Sequence, residues 1–446
     1  MSDTKFSNIA QIIEQRIDKG DYPVNAKLPT HRVLASELDT TPATVAKAYK
    51  LLSDKGRLES FVGRGSFVRS QSDLNQVIQA PKDEDDFNFS ILQPCLYKNV
   101  NALQNAYQVA GERLTSELIG YTEHSGHEAH RQAGVTWAKR YGLEGGDTCN
   151  TVLTNGAQHA LSLLINALTK PGDTIAVEAL TYPGILAIAS LSGRNVVGIP
   201  MDESGASPEA LRSVITEHQP KLVVLIPSHQ NPTGITMPEA RRREIAAVIK
   251  QEDIWLVEDD IYGFLNEAAI PAISNFVPEK AFHISALSKA ISPAMRCGYI
   301  KAPADKVALL NAHIRANIWL SSPINNIAGT HLIESGKAFE IADMQRETAS
   351  ERQRLARSIL TSISCDAEGY HLWLPLPKHW TTEHFVMAAK NRGLIVSSGS
   401  YFEVSGNEEN HIRLSLMSIA TEERLAQGLG ELKALLESDM DTLFPF

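Results

Sequence analysis

The chain has no apolar run approaching the roughly 18 residues that a membrane-spanning helix needs. Its first residues, MSDTKFSNIAQIIEQRIDKG, lack the basic-then-apolar layout of a signal peptide. Cysteine is scarce: Cys95, Cys149, Cys297 and Cys365 are scattered and form no CxxC pair, which excludes zinc-ribbon and dithiol redox motifs. A reduced, cytoplasmic setting with no membrane partner is the expectation. There is no internal repeat and no low-complexity tract. With 43% hydrophobic and 21% charged residues, the composition also excludes disordered, collagen-like and disulfide-scaffold classes. Positive charge is in short supply: the net charge is -10, which taken whole argues against a nucleic-acid partner.

What is present is unevenly spread. A length of 446 residues predicts two to four domains. Residues 1–70 carry 11 Lys and Arg against 8 Asp and Glu, a net +3, which leaves -13 for the rest. The stretch SQSDLNQVIQAP and the acidic KDEDD after it read as a linker over 71–88. A surface loop inside a single domain is the alternative.

In the first segment Ile9, Ile12, Ile13 and Ile17 recur at helical spacing and predict a helix over 6–19. HRVLASEL predicts a second, short helix with Val33, Leu34 and Leu38 apolar. Asp39-Thr40-Thr41-Pro42 breaks the chain, with Thr41 suited to an N-cap and Pro42 to the first helical position. The helix that follows buries Val45, Ala48, Tyr49 and Leu52 and leaves Thr44, Lys47 and Lys50 on its other face. RLESFVGRGSFV alternates like a hairpin around Gly63-Arg64-Gly65. Three helices and a hairpin make a winged helix-turn-helix, whose third helix can enter a major groove and whose Arg64 can reach a phosphate or minor groove. A helical docking module with solvated lysines fits the same pattern.

The run KLPTHRVLASELDTTPATVAKAYKLLSDKGRLESFVGRGSFV resembles the GntR-type winged helix, and the match covers 5–69. The resemblance implies double-stranded DNA as a partner, with Arg32 contacting phosphate and Thr44, Lys47, Lys50 and Arg64 as candidate DNA contacts.

From about residue 150 the strand-like runs TIAVEA, KLVVLIP, IWLVEDD and AFHISALS alternate with helical stretches, predicting an α/β domain with a mainly parallel sheet. Ligands in such sheets sit beyond the carboxyl ends of the strands. There the chain places Asn231, then Asp259, Asp260 and Tyr262, then Ser288, Lys289, Pro293 and Arg296. Two chemistries suit the set: a metal or phosphate site with Lys289 as a plain charge, or a Schiff-base site with a carbonyl cofactor. His124, His127 and His130 recur every third residue, but no carboxylate or cysteine completes an obvious ligand set apart from Glu123 and Glu128, so no metal is expected.

In order and spacing the constellation resembles the fold-type-I aminotransferases that bind pyridoxal 5'-phosphate, over about 89–435. The resemblance implies that Lys289 forms the aldimine and that Asp259, rather than Asp260, pairs with the pyridine nitrogen, since Tyr262 completes Asp-x-x-Tyr. Asn231 and Tyr262 are implied at the ring oxygen and Tyr182 stacked on the ring. Gly156, Ala157, Gln158, Ser288 and Arg296 are implied at the phosphate, with Tyr121 reaching it across a dimer interface. Arg413, in the apolar run HIRLSL, is implied as a carboxylate clamp; a structural ion pair is the plainer reading. His229 reads equally as a ligand contact or a loop histidine. One departure is Ala286, where many relatives have serine; Ser285 is the candidate substitute.

Joined, the two halves resemble the MocR subfamily of bacterial transcription regulators. The expected organisation is a reader over 1–70, a linker over 71–88 and an aminotransferase-like domain over 89–446. The expected function is a homodimeric, cofactor-dependent regulator that senses an amino compound, or the cofactor itself, and reads paired half-sites. The alternative is an amino-acid aminotransferase with a DNA-binding head.

Overall fold

The computed structural model describes residues 5–19, 21–22, 26–54, 57–61, 65–68, 86–121, 124–360, 368–404 and 410–438. The chain divides into two compact units, Met1–Asp73 and Leu74–Phe446.

The first unit comprises α1 (Lys5–Asp18), α2 (His31–Glu37), α3 (Pro42–Asp54) and an antiparallel hairpin of β1 (Leu58–Phe61) and β2 (Gly65–Val68). Thr41 caps α3, its hydroxyl accepting from the Thr44 amide at 3.3 Å, and Pro42 opens the helix where its missing N–H costs nothing. Ile9, Ile13, Leu34, Val45, Ala48, Tyr49 and Leu52 share one core with Leu58 and Val68 of the hairpin. Val33 is 57% exposed, while α2 turns Leu34 and Ala35 inward.

The second unit is built on a seven-stranded sheet. In chain order its strands are β3 (Thr151–Asn155), β4 (Thr174–Glu178), β5 (Asn195–Ile199), β6 (Leu222–Leu225), β7 (Trp255–Asp259), β8 (Ala281–Ala286) and β9 (Cys297–Lys301). In space the order is β3-β9-β8-β7-β6-β4-β5. The pairs from β8 to β5 are parallel, and β9 runs antiparallel to both its neighbours. Such a sheet must be covered on both faces. The period-2 alternation does this: Ile175, Val177, Leu222 and Val224 pack with the helix α4 (Gly156–Leu168), while Ala176, Val223 and Leu225 pack with Leu211, Ile245 and Ile249 of the helices Pro208–His218 and Glu239–Gln251. Beyond the long helix Lys337–Ile359 lies a three-stranded sheet of β10 (His371–Pro375), β11 (Ser397–Ser398) and β12 (His411–Ser415), ordered β10-β12-β11. The segment Phe87–Asn88 pairs in parallel with Leu394–Ile395 beside it.

Candidate functional site

The carboxyl ends of the central strands converge on one cavity. Asp259 is the last residue of β7, Asn231 follows β6, Lys289 follows β8, and Gly156 opens α4 where β3 ends. Arg413 reaches in from β12. Of the residues expected from the sequence, Ala157, Gln158, Tyr182, Asn231, Asp259, Tyr262, Ser288, Lys289, Arg296 and Arg413 all line this cavity.

The Lys289 amine donates to the main-chain oxygen of Leu92 at 2.6 Å, and the Tyr370 hydroxyl donates to the Lys289 carbonyl at 2.7 Å. Burial, seconded by the Arg413 charge, pulls the Lys289 ammonium down to about 8, with Asp259 opposing. More of it is then the free, nucleophilic amine near neutral pH than for an ordinary lysine.

Asp259 and Asp260 are adjacent but face different surroundings. Asp259 lines the cavity, and among the described residues its Oδ1 has no hydrogen-bond partner. Burial first, then the Asp260 charge, push its carboxyl up to about 7. Burial also acts against ionisation of Asp260, but His283, with Nε2 at 3.7 Å, and Arg242 outweigh it and hold that carboxyl below its ordinary value. Asp259 is therefore the carboxylate aimed into the cavity, and Asp260 belongs to a buried charge network behind it.

Among the described residues no side chain caps the start of α4, so its first N–H groups can receive an anion. Arg296 donates to the Asn155 carbonyl at 2.8 Å. Gly156 sits at φ +75°, and a Cβ there would lie 2.9 Å from the Arg296 guanidinium. Glycine thus permits both the turn and the close approach of the cation. Ala286 is buried in the core, and neither it nor Ser285 lines the cavity.

Arg413 is 2% exposed. It donates to Asn231 Oδ1 at 3.0 Å, to Ser397 Oγ at 3.1 Å and to the Ser90 carbonyl at 2.5 Å; among the described residues no carboxylate pairs with it and its Nε has no partner. The ion-pair reading is not what these contacts form. Burial pulls the guanidinium down to about 10, while Tyr262 and Tyr182 favour its charge. A buried, incompletely satisfied guanidinium can accept a carboxylate. Ser90, Leu92 and Tyr370 carry no motif, and sequence reasoning missed them.

The remaining candidates stand elsewhere. Tyr121 is 84% exposed, its ring 5.2 Å from that of Trp319. His127 accepts from the Ala129 amide at the start of the helix Glu128–Arg140, and the His130 ring is buried 2.7 Å from the Thr330 hydroxyl. Those contacts give the two histidines helix-capping and packing roles. His229 is buried beside the Glu368 carbonyl, at 3.2 Å, in a separate cleft. In the first unit Arg32, Lys47 and Lys50 are exposed, and Thr44 is half-buried with its hydroxyl 2.8 Å from that of Thr41. Arg64 lies outside the described residues.

Two family models match this chain: aminotransferase class I and II over 84–429, and bacterial regulatory proteins of the gntR family over 5–68. An uncharacterized HTH-type transcriptional regulator of Bacillus subtilis, YdeF, is 28% identical over 97% of this chain and 94% of its own length. The HTH-type transcriptional regulator TauR of Rhodobacter capsulatus is 29% identical over 92% of each. Among solved structures, the α-aminoadipate aminotransferase LysN of Thermus thermophilus, crystallised with N-(5'-phosphopyridoxyl)-L-leucine, superposes with a TM-score of 0.73 at 22% identity over 86% of this chain and 96% of that one. The second unit thus has the fold-type-I aminotransferase fold. The chain belongs to the class I and II aminotransferase family and carries a gntR-family helix-turn-helix domain ahead of it, the pairing of the MocR subfamily of regulators.

Proposed function

We propose that the chain is a transcription regulator that binds double-stranded DNA through residues 1–70 and senses an amino compound through pyridoxal 5'-phosphate held in residues 89–446, with 71–88 as linker. One observation carries the reading: a helix-turn-helix with exposed cations is joined to a cavity that brings together Lys289, Asp259, Arg296 and Arg413. The residues fit the cofactor. The unpartnered Asp259 Oδ1 suits a protonated ring nitrogen, and the uncapped α4 with Arg296 suits a phosphate.

When bound, the cofactor supplies a carbonyl for amines and an electron-withdrawing ring. Lys289 would hold the cofactor through its buried amine. Asp259 holds a proton at the ring nitrogen. Asn231 and Tyr262 donate to the ring oxygen, for which burial keeps the Tyr262 phenol protonated. Gly156, Ala157, Gln158, Ser288 and Arg296 would hold the phosphate, and Tyr182 would flank the ring. Arg413 receives the carboxylate of an amino-acid ligand. A homodimer with Tyr121 contributed across its interface, reading paired half-sites, completes the proposal. To act on DNA, the ligand must bind one conformer better than another.

A second reading, amino-acid transamination, is favoured by the Lys289 amine held at about 8, suited to proton transfer near neutrality. The deciding experiment is a panel of amino compounds followed by absorbance, oxo-acid release and operator affinity together. The regulator reading expects affinity to shift at saturating ligand with little turnover. Fast multiple turnover with unchanged affinity overturns it in favour of the enzyme.

A further inference from the structure

The cations of the first unit fall into two groups. Arg16 is committed to Glu37 at 2.6 Å and to the Tyr22 hydroxyl at 3.2 Å, and Arg57 lies 3.5 Å from Glu14. Lys27 is exposed and has no ion pair among the described residues.

Its position is fixed by the backbone. The Leu28 amide donates to the Ser66 carbonyl at 2.8 Å and the Val68 amide to the Ala26 carbonyl at 2.9 Å, with Lys27 opposite Phe67 in an antiparallel bridge. These bonds add a third extended segment along β2. Gly65, at φ +106°, pairs with Phe61 at the turn-proximal end of the hairpin. The Lys27 stem lies against Gly65: a Cβ there would come 2.8 Å from its Cε and 3.6 Å from its Nζ. The ammonium is thus carried along the hairpin towards its turn while staying in water. The same segment is tied to α3, where the Tyr49 hydroxyl donates to the Pro29 carbonyl at 2.7 Å and its ring meets His31 edge-on at 4.9 Å. Lys27, Arg32 and the exposed face of α3 therefore belong to one body.

We propose that Lys27 is a phosphate contact at the turn-proximal end of the wing hairpin, engaging the sugar-phosphate backbone of the duplex that α3 reads. The proposal rests on the first unit being a DNA-binding domain. A compact ammonium on a supported stem suits a phosphate rather than a base edge.

The test uses the full chain and measures affinity for operator and for bulk duplex across a salt series. Lys27→Gln should lower both affinities by about the same factor and make the slope of log K against log salt shallower by about 0.9 for each head engaged. Lys27→Arg should restore the slope. Lys19→Gln, which removes the same charge from an exposed position after α1, should leave the slope unchanged. Equal slopes for Lys27→Gln and Lys19→Gln, with wild type binding normally, overturn the Lys27 contact and leave the regulator reading standing. A wild type that binds no duplex overturns the regulator reading, and the contact with it.

Discussion

Asp259 and Asp260 differ by one position in sequence and by their partners in space, and the difference can be read in the stability of the cofactor-free chain. The Asp259 carboxyl is raised from 3.8 to about 7. Between those values the unfolded chain has lost a proton that the folded chain keeps, so stability falls as pH rises through the window and levels off above 7. Asp259→Asn removes this term. Near pH 4 the variant should match wild type, and at pH 7.5 it should be more stable by roughly 2–4 kcal/mol in urea unfolding. Parallel pH curves for the two proteins would sink the assignment. In the same cavity, Arg413 bonds Asn231, Ser397 and Ser90 at once. Lysine cannot reproduce that fork. Arg413→Lys should weaken a carboxylate-bearing amine roughly 10- to 100-fold, the equivalent of one or two charged hydrogen bonds, while leaving the corresponding decarboxylated amine nearly unaffected. Spectral titration with the two amines checks it.

At the scale of elements, the start of α4 is where backbone and charge meet. Gly156→Ala places a Cβ 2.9 Å from the Arg296 guanidinium at a φ of +75°. Uptake of pyridoxal 5'-phosphate should fall at least about tenfold, since a left-handed alanine alone costs of order 1 kcal/mol and the cation is displaced as well. Pyridoxal, which lacks the phosphate, should be affected far less. Equal losses for both compounds would mean that the helix start is not the phosphate cradle. Local elements were legible in the sequence because their signals are local: Thr41-Pro42 opens α3, and Val45, Ala48, Tyr49 and Leu52 form its buried stripe. The strand-end residues were legible because alternating strands and helices deliver them in chain order to one edge of the sheet. The carbonyls of Ser90 and Leu92 were not: every residue has a carbonyl, and these meet Arg413 and Lys289 across separations of 323 and 197 residues. The bridge from Lys27 to Phe67 was hidden for the same reason.

For the whole molecule, the net charge of -10 conceals a +3 head and a -13 remainder, so the total says little about DNA. The two units also keep separate hydrophobic cores, one of Ile9, Ile13, Val45 and their neighbours, the others around the seven-stranded sheet. A head of some seventy residues buries a smaller fraction of its surface than the large unit and should be the weaker of the two. Thermal unfolding of the full chain should therefore show two transitions rather than one. Duplex DNA should raise the transition of the head, and pyridoxal 5'-phosphate that of the large unit, each by an amount set by saturation: about 2.7 kcal/mol at a concentration 100 times Kd. Coupling has its own signature in the same experiment. If the sensed amine alters DNA affinity, then adding it to the cofactor-loaded, DNA-bound protein must also move the head transition, because linkage is reciprocal. Calorimetry with and without DNA, cofactor and amine separates the cases. A head transition shifted by the amine only when DNA is present supports a regulator whose two units communicate. A head transition indifferent to every amine that shifts the large unit overturns ligand-controlled DNA binding, and leaves an aminotransferase-type domain carrying an independent DNA-binding head.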